Sequence, residues 1–109
     1  MQHKITLPQL KKYDITQKVI EALADAESRA IIFSITKKGK TPSDLSNSLK
    51  IPLSSVYKKL SDLEDLTLIE IEKTILSDAG RRFKVYKSRI NRAEILIKKP
   101  EPVLSLSSN

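Results

Sequence analysis

Apolar positions along this chain follow two periods, and the change from one to the other divides it. From Ile15 to Leu66 the spacing is helical. Ile15, Val19, Ile20 and Leu23 recur at three and four residues, then Ser28, Ile31, Ile32 and Ile35, then Leu45 and Leu49, then Val56, Leu60 and Leu63. From Leu68 the period becomes two: Ile69, Ile71, Lys73 and Ile75 alternate with Glu70, Glu72, Thr74 and Leu76, and Phe83 and Val85 with Lys84 and Tyr86. The pattern predicts four helices followed by a two-stranded hairpin, a mainly α chain with a small β element (α+β).

Turn and capping chemistry sets the expected boundaries. Asp14 suits the N-cap of the first helix, with Gln17 at the capping-box position, and the helix runs to about Ala24. A second helix opens after Asp25, with Phe33 adding bulk to its core face. Lys37 and Lys38 suit its C-terminal dipole, and Gly39 a left-handed cap beyond it. Thr41, Pro42 and Asp44 form an N-cap, a first-turn proline and a capping box, and Ile51-Pro52 ends that helix because a residue before proline avoids the helical region. The next helix, about 53–66, buries Val56, Leu60 and Leu63. Its other positions carry Ser54, Ser55, Tyr57, Lys58, Lys59 and Ser61, a face suited to a polyanion. Two short helices joined by a tight turn read as a helix-turn-helix.

In the hairpin, a tip at Ala79-Gly80 sets Leu76 opposite Phe83, Glu72 opposite Lys87, Glu70 opposite Arg89 and Ile69 opposite Ile90. The chain then divides into an N-terminal arm (1–13), a helix-turn-helix domain with its hairpin (14–92) and a C-terminal extension (93–109). The extension carries Ile95, Ile97, Val103, Leu104 and Leu106 around Lys98-Lys99-Pro100-Glu101-Pro102. Apolar side chains beyond two prolines need cover, from the domain itself or from a partner subunit.

Composition narrows the chemistry. The chain has no Cys and one His, which excludes disulfides and thiolate sites and argues against a His-based metal site or base. Asp62, Glu64 and Asp65 cluster at a helix exit without a His or glycine-rich loop, so no enzyme activity and no cofactor are expected. No run approaches the ~18 apolar residues of a membrane span, and the start lacks a signal-peptide core, so the expectation is a cytoplasmic protein with no membrane partner. The net charge is +7, and residues 81–99 supply all of it, eight Lys or Arg against Glu94 alone. A basic excess beside a helix-turn-helix favours phosphate binding.

The order of helices, helix-turn-helix and basic hairpin is that of a winged helix, and particular residues go further. Leu23-Ala24-Asp25-Ala26-Glu27-Ser28-Arg29-Ala30-Ile31-Ile32 resembles the helix junction of ArsR-type regulators, with Asp25 and Arg29 matching. Leu49 to Leu60 resembles the family's turn and recognition helix, and Leu63-Glu64-Asp65-Leu66-Thr67-Leu68-Ile69 its exit into the wing. The resemblance covers about residues 15–90 and is to the small prokaryotic, archaeal kind without metal ligands. The family commonly has glycine where this chain has Lys50 and Thr67. Its cysteine and histidine ligands are missing, so metal sensing does not carry over.

The resemblance implies a DNA-binding transcriptional regulator, its recognition helix in the major groove and its wing (about 77–84) on the backbone or minor groove. The candidate DNA contacts are Thr41, Ser43, Ser54, Ser55, Tyr57, Lys58, Lys59, Arg81, Arg82 and Lys84: lysine to guanine or phosphate, hydroxyls to either, arginine to phosphate or a minor groove. Leu53 suits a thymine methyl or a staple, Tyr86 hairpin packing, and Arg29 an acid at the helix junction. The expected partners are double-stranded DNA and a second copy of the chain, the homodimer drawing on Ile5, Leu7, Leu10, Tyr13 and the apolar tail. A tail that adds a third strand to the hairpin is the competing account. The alternative function is a winged-helix protein-interaction module in transcription or RNA-processing machinery.

Overall fold

A computed structural model describes the backbone of residues 7–109 and the side chains from Ile15 onward. Its elements are α1 (Leu7–Ala24), α2 (Ala26–Ser34), α3 (Pro42–Leu49), α4 (Leu53–Asp65), β1 (Ile69–Leu76), β2 (Arg82–Ser88), β3 (Ile90–Leu96) and β4 (Val103–Ser108). The four helices bury Val19, Leu23, Ile31, Ile32, Ile35, Leu45, Val56, Leu60 and Leu63 in one core, which Leu68, Ile69, Tyr86 and Ile90 extend from the hairpins. Phe33 and Ile15, expected to help fill it, are exposed.

Helix α1 begins well before Asp14, which is therefore not its N-cap. Pro8 falls in the first turn, where its missing N–H costs nothing, and no glycine or proline follows to interrupt the helix. Of the expected arm, residues 1–6, with Ile5, lie outside the described residues, as do the side chains of Leu7, Leu10 and Tyr13.

Helix α2 also departs from expectation. It ends at Ser34, and Gly39 has no positive φ. Glycine is required there for another reason: a Cβ would lie 2.7 Å from Val85 Cγ1 and 3.1 Å from the Tyr86 carbonyl oxygen. The close approach lets Lys40 pair with Tyr86 through two backbone hydrogen bonds of 3.1 and 2.9 Å, stitching the α2–α3 connection to β2.

The capping box at α3 is present: Thr41 Oγ1 accepts from Asp44 N at 3.2 Å, and the Asp44 carboxylate from Thr41 N at 3.5 Å. Both positions where the resemblance substitutes for glycine are left-handed, Lys50 at φ 59° and Thr67 at φ 61°. After α4, Thr67 N donates to Glu64 O at 2.9 Å and Leu68 N to Leu63 O at 3.0 Å, the pairing that closes a helix around one left-handed residue. A β-branched residue bears that conformation poorly. Thr67→Gly is expected to stabilise the fold by about 0.5–1 kcal/mol after the entropy glycine adds to the unfolded chain, and Lys50→Gly by less. Chemical denaturation checks this, and a lowered midpoint for Thr67→Gly would show the residue to be unstrained.

The first hairpin takes a different register. Leu76 pairs with Arg82, Ile75 with Phe83 and Thr74 with Lys84; beyond a bulge at Glu72, Ile71 pairs with Tyr86, Glu70 with Lys87 and Ile69 with Ser88. Two causes are visible. Gly80, at φ 81°, lengthens the tip to the three residues Asp78-Ala79-Gly80, closed by Ser77 N on Arg81 O (2.8 Å) and Arg81 N on Ser77 Oγ (3.0 Å). The bulge then removes one more residue from the β1 ladder. The Glu70–Arg89 pair survives as a diagonal contact of 3.7 Å.

The tail neither adds to the first hairpin nor trails away. Residues 90–96 and 103–108 pair with each other as a separate two-stranded sheet, and the expected boundary at 92/93 falls inside β3. Asn109 pins its base to the domain, the side-chain amide donating to Thr36 O (2.7 Å) and Ser88 O (2.9 Å).

Candidate nucleic-acid interface

The exposed side of α4 follows from its apolar stripe. With Val56, Leu60 and Leu63 fully buried, turning about 100° per residue directs Ser54, Lys58 and Ser61 away from the core, flanked by Tyr57 and Asp62. Tyr57 is 53% and Leu53 41% exposed. The helix starts after Pro52 with no side-chain cap, so its first-turn N–H groups are open at the positive end of the dipole. Lys58 makes an i,i+4 pair with Asp62 at 3.8 Å. Exposed pairs of this kind are worth about 1 kcal/mol or less, so the ammonium is easily recruited elsewhere.

Lys59 is placed differently from the other candidates. Its ammonium donates to Asp25 Oδ2 at 2.8 Å and lies 3.7 Å from Glu27 Oε1, binding α4 to the α1–α2 junction. The helical wheel carries the signal, since Lys59 sits only about 40° from buried Leu63. Asp25 is also the N-cap of α2, accepting from Ser28 N (3.0 Å) and Ser28 Oγ (2.7 Å). The Lys59 hydrogen bond, with help from Ser28, holds the Asp25 carboxyl at about 2, and Asp25 in return raises the Lys59 pKa. Arg29, expected to pair with an acid at the helix junction, instead donates to the Leu23 carbonyl at 2.6 Å, a cation on the carboxyl end of α1.

Thr41 is half-buried and its oxygen is occupied in the cap, whereas Ser43 is exposed at the start of α3. Ser54 is exposed and Ser55 half-buried.

The basic segment divides by partner. Lys87 donates to the Lys37 carbonyl at 2.6 Å, Arg89 pairs with Glu70 and Arg92 with Glu94. Arg81, Arg82 and Lys84, all exposed on the first hairpin, have no acid partner among the described residues. Tyr86 packs as expected: buried at the hairpin base, it has its phenol pKa raised by desolvation first and then by Glu64 and Tyr57.

A groove of about 650 Å³ lies between α1 and α4, with Ile15, Ala22 and Leu66 among its apolar lining and Glu21, Asp62 and Asp65 among its acids. With Asp25 they make four carboxylates against the ammonium groups of Lys18 and Lys59, a net negative lining that disfavours phosphate and leaves the amino-terminal half of α4 as the helix surface suited to a polyanion. Among the described residues no group of His, Cys, Asp and Glu could hold a metal, and no helix is long and apolar enough to cross a membrane.

Four helices with a turn-linked pair and a hairpin directly after it define the α+β winged helix-turn-helix fold. The chain is similar to NolR from Sinorhizobium fredii in its crystal structure, with a TM-score of 0.61 and 20% identity over 80% of this chain and 81% of that one. At that identity the likeness shows the shared fold. No protein-family model and no curated protein matches the chain.

Proposed function

We propose that this chain is a cytoplasmic, ArsR-like transcriptional regulator that binds double-stranded DNA as a homodimer. The amino-terminal half of α4 enters the major groove with Ser54, Tyr57 and Lys58, and Arg81, Arg82 and Lys84 of the wing engage phosphates or a minor groove. Ser43 and the open first turn of α4 add contacts to the backbone, and Lys59 holds the recognition helix in place without touching DNA. The likeness to NolR supports a DNA-binding regulator in general terms. The observation that carries the reading is the division of charge on the hairpins. Lys87, Arg89 and Arg92 are tied to protein oxygens, while Arg81, Arg82 and Lys84 nearer the wing tip form no ion pair among the described residues.

Selection from a random duplex pool, followed by gel shifts at two salt concentrations, tests it. Lys58→Ala is expected to change which sequences are enriched while altering the salt dependence by no more than about one unit. Unchanged preferences would remove Lys58 from base reading, and the absence of salt-dependent duplex binding by the parent chain would defeat the function itself.

One observation favours the protein-interaction reading. The wing exposes Ile71, Ile75, Leu76 and Phe83, more apolar surface than phosphate contact requires. Partner capture insensitive to salt and abolished by Leu76→Glu would support it.

A further inference from the structure

We propose that the groove between α1 and α4 is a binding site for a small organic cation with an apolar body. The groove encloses about 650 Å³, within the range of sites that take small molecules. Its floor is aliphatic. Leu63 lies beneath it, Ala22 and Leu66 are half-buried along it, and Ile15 borders it with 57% of its surface open. Covering such a surface with hydrocarbon removes it from water and is favourable.

Charge selects what covers it. Asp25 is occupied by Lys59 at 2.8 Å, and Asp62 is paired by Lys58, which lies outside the groove lining, at 3.8 Å. Two further carboxylates remain, one on each wall. Glu21 of α1 accepts from the Gln17 amide at 3.4 Å, and neither it nor Asp65 of α4 forms an ion pair among the described residues. Both are exposed, so a ligand reaches them without disturbing the fold. Lys18 is the other cation of the lining, and the balance stays negative. A cation is therefore attracted where an anion is repelled. An inorganic ion does not meet the case, because among the described residues these carboxylates form no group able to hold a metal. Carboxylates spread along an aliphatic floor suit an ammonium group on a hydrocarbon chain. The chain lies over Ile15, Ala22 and Leu66, and the charge sits at Glu21 or Asp65. The inference does not depend on the DNA-binding reading, and its test contains no DNA.

Isothermal titration calorimetry of the full chain with octylammonium, methylammonium and octanoate, each below any micelle-forming concentration, is the test. The whole chain carries +7, so unspecific attraction favours octanoate, and a preference for the ammonium is diagnostic of the groove. Octylammonium is expected to bind one to one with a Kd of about 0.1–1 mM, as suits about nine non-hydrogen atoms. Methylammonium, which lacks the apolar body, should bind roughly 10-fold or more weakly, and octanoate not detectably. Glu21→Gln combined with Asp65→Asn should weaken octylammonium roughly 10-fold, and Ile15→Ser about 3-fold. All three positions are exposed, so the fold tolerates the changes, and circular dichroism verifies this. Octylammonium that fails to saturate, octanoate bound as tightly, or a double variant that binds like the parent would overturn the inference. Duplex binding is measured separately on the same samples. A chain that binds duplex but no ammonium counts against the groove alone, and one that binds ammonium but ignores DNA counts against the regulatory reading alone.

Discussion

Replacing Arg81 and Arg82 together by alanine should weaken duplex binding by roughly 10–100-fold at about 0.15 M salt, with little regard to sequence. The expectation comes from counterion release. Each phosphate contact contributes close to 0.9 to the slope of log affinity against log salt, so two lost contacts lower the slope by nearly two units. Neither guanidinium has an acid partner among the described residues, and both are exposed at the hairpin tip. Removing them costs no buried contact, and stability should stay within about 0.5 kcal/mol of the parent. Gel shifts from 50 to 200 mM salt provide the measurement. A double variant with parental slope and affinity would place the wing off the DNA. A changed sequence preference with constant slope would instead mean that the arginines read bases.

The second large effect is expected away from the proposed DNA-binding surface. Asp25→Ala should destabilise the fold by roughly 2 kcal/mol, because one carboxylate performs two tasks. Its loss removes an N-cap, worth about 1 kcal/mol. It also strips the half-buried Lys59 ammonium of its 2.8 Å partner, leaving only Glu27 at 3.7 Å. The pair is partly open to water, which keeps the second contribution near 1 kcal/mol. Asp25→Asn retains an acceptor for the cap and should lose about half as much.

The pH dependence has a definite sign. The Asp25 pKa falls from 3.8 to about 2 on folding, so its contribution is complete above pH 3.8 and is lost as the pH falls towards about 2. The stability gap between parent and Asp25→Ala should therefore narrow in that acidic window. Lys59 works in the opposite direction. Its pKa is raised above 10.5, so its share is present below that value and fades only in stronger alkali. Denaturant titrations at pH 5, 3.5 and 2.5 suffice, and a gap constant across the three would show that the carboxylate does not act through its charge.

Local chemistry was enough for much of this protein. The Thr41-Pro42-Asp44 cap, the buried Val56, Leu60 and Leu63 stripe and the change of period at Leu68 depend on neighbours within one or two turns, and they appear in the structure where the sequence places them. The left-handed residues at Lys50 and Thr67 were legible only through the resemblance, because neither side chain advertises a positive φ. Long-range partners decided the rest. Gly39 looked like a helix cap because a cap is a local device, whereas its actual constraint is the approach of Val85, forty-six residues later in the chain. Lys59 looked like part of a DNA-binding face until Asp25 and Glu27 came within reach of it. Hairpin register depended on a bulge and on one extra tip residue, and the alternating pattern reads the same on either side of such a shift. The tail's apolar residues were visible from the start. Their gathering into a second hairpin, with one face half covered, is a property of strand pairing across the turn at 97–102, which no local pattern specifies.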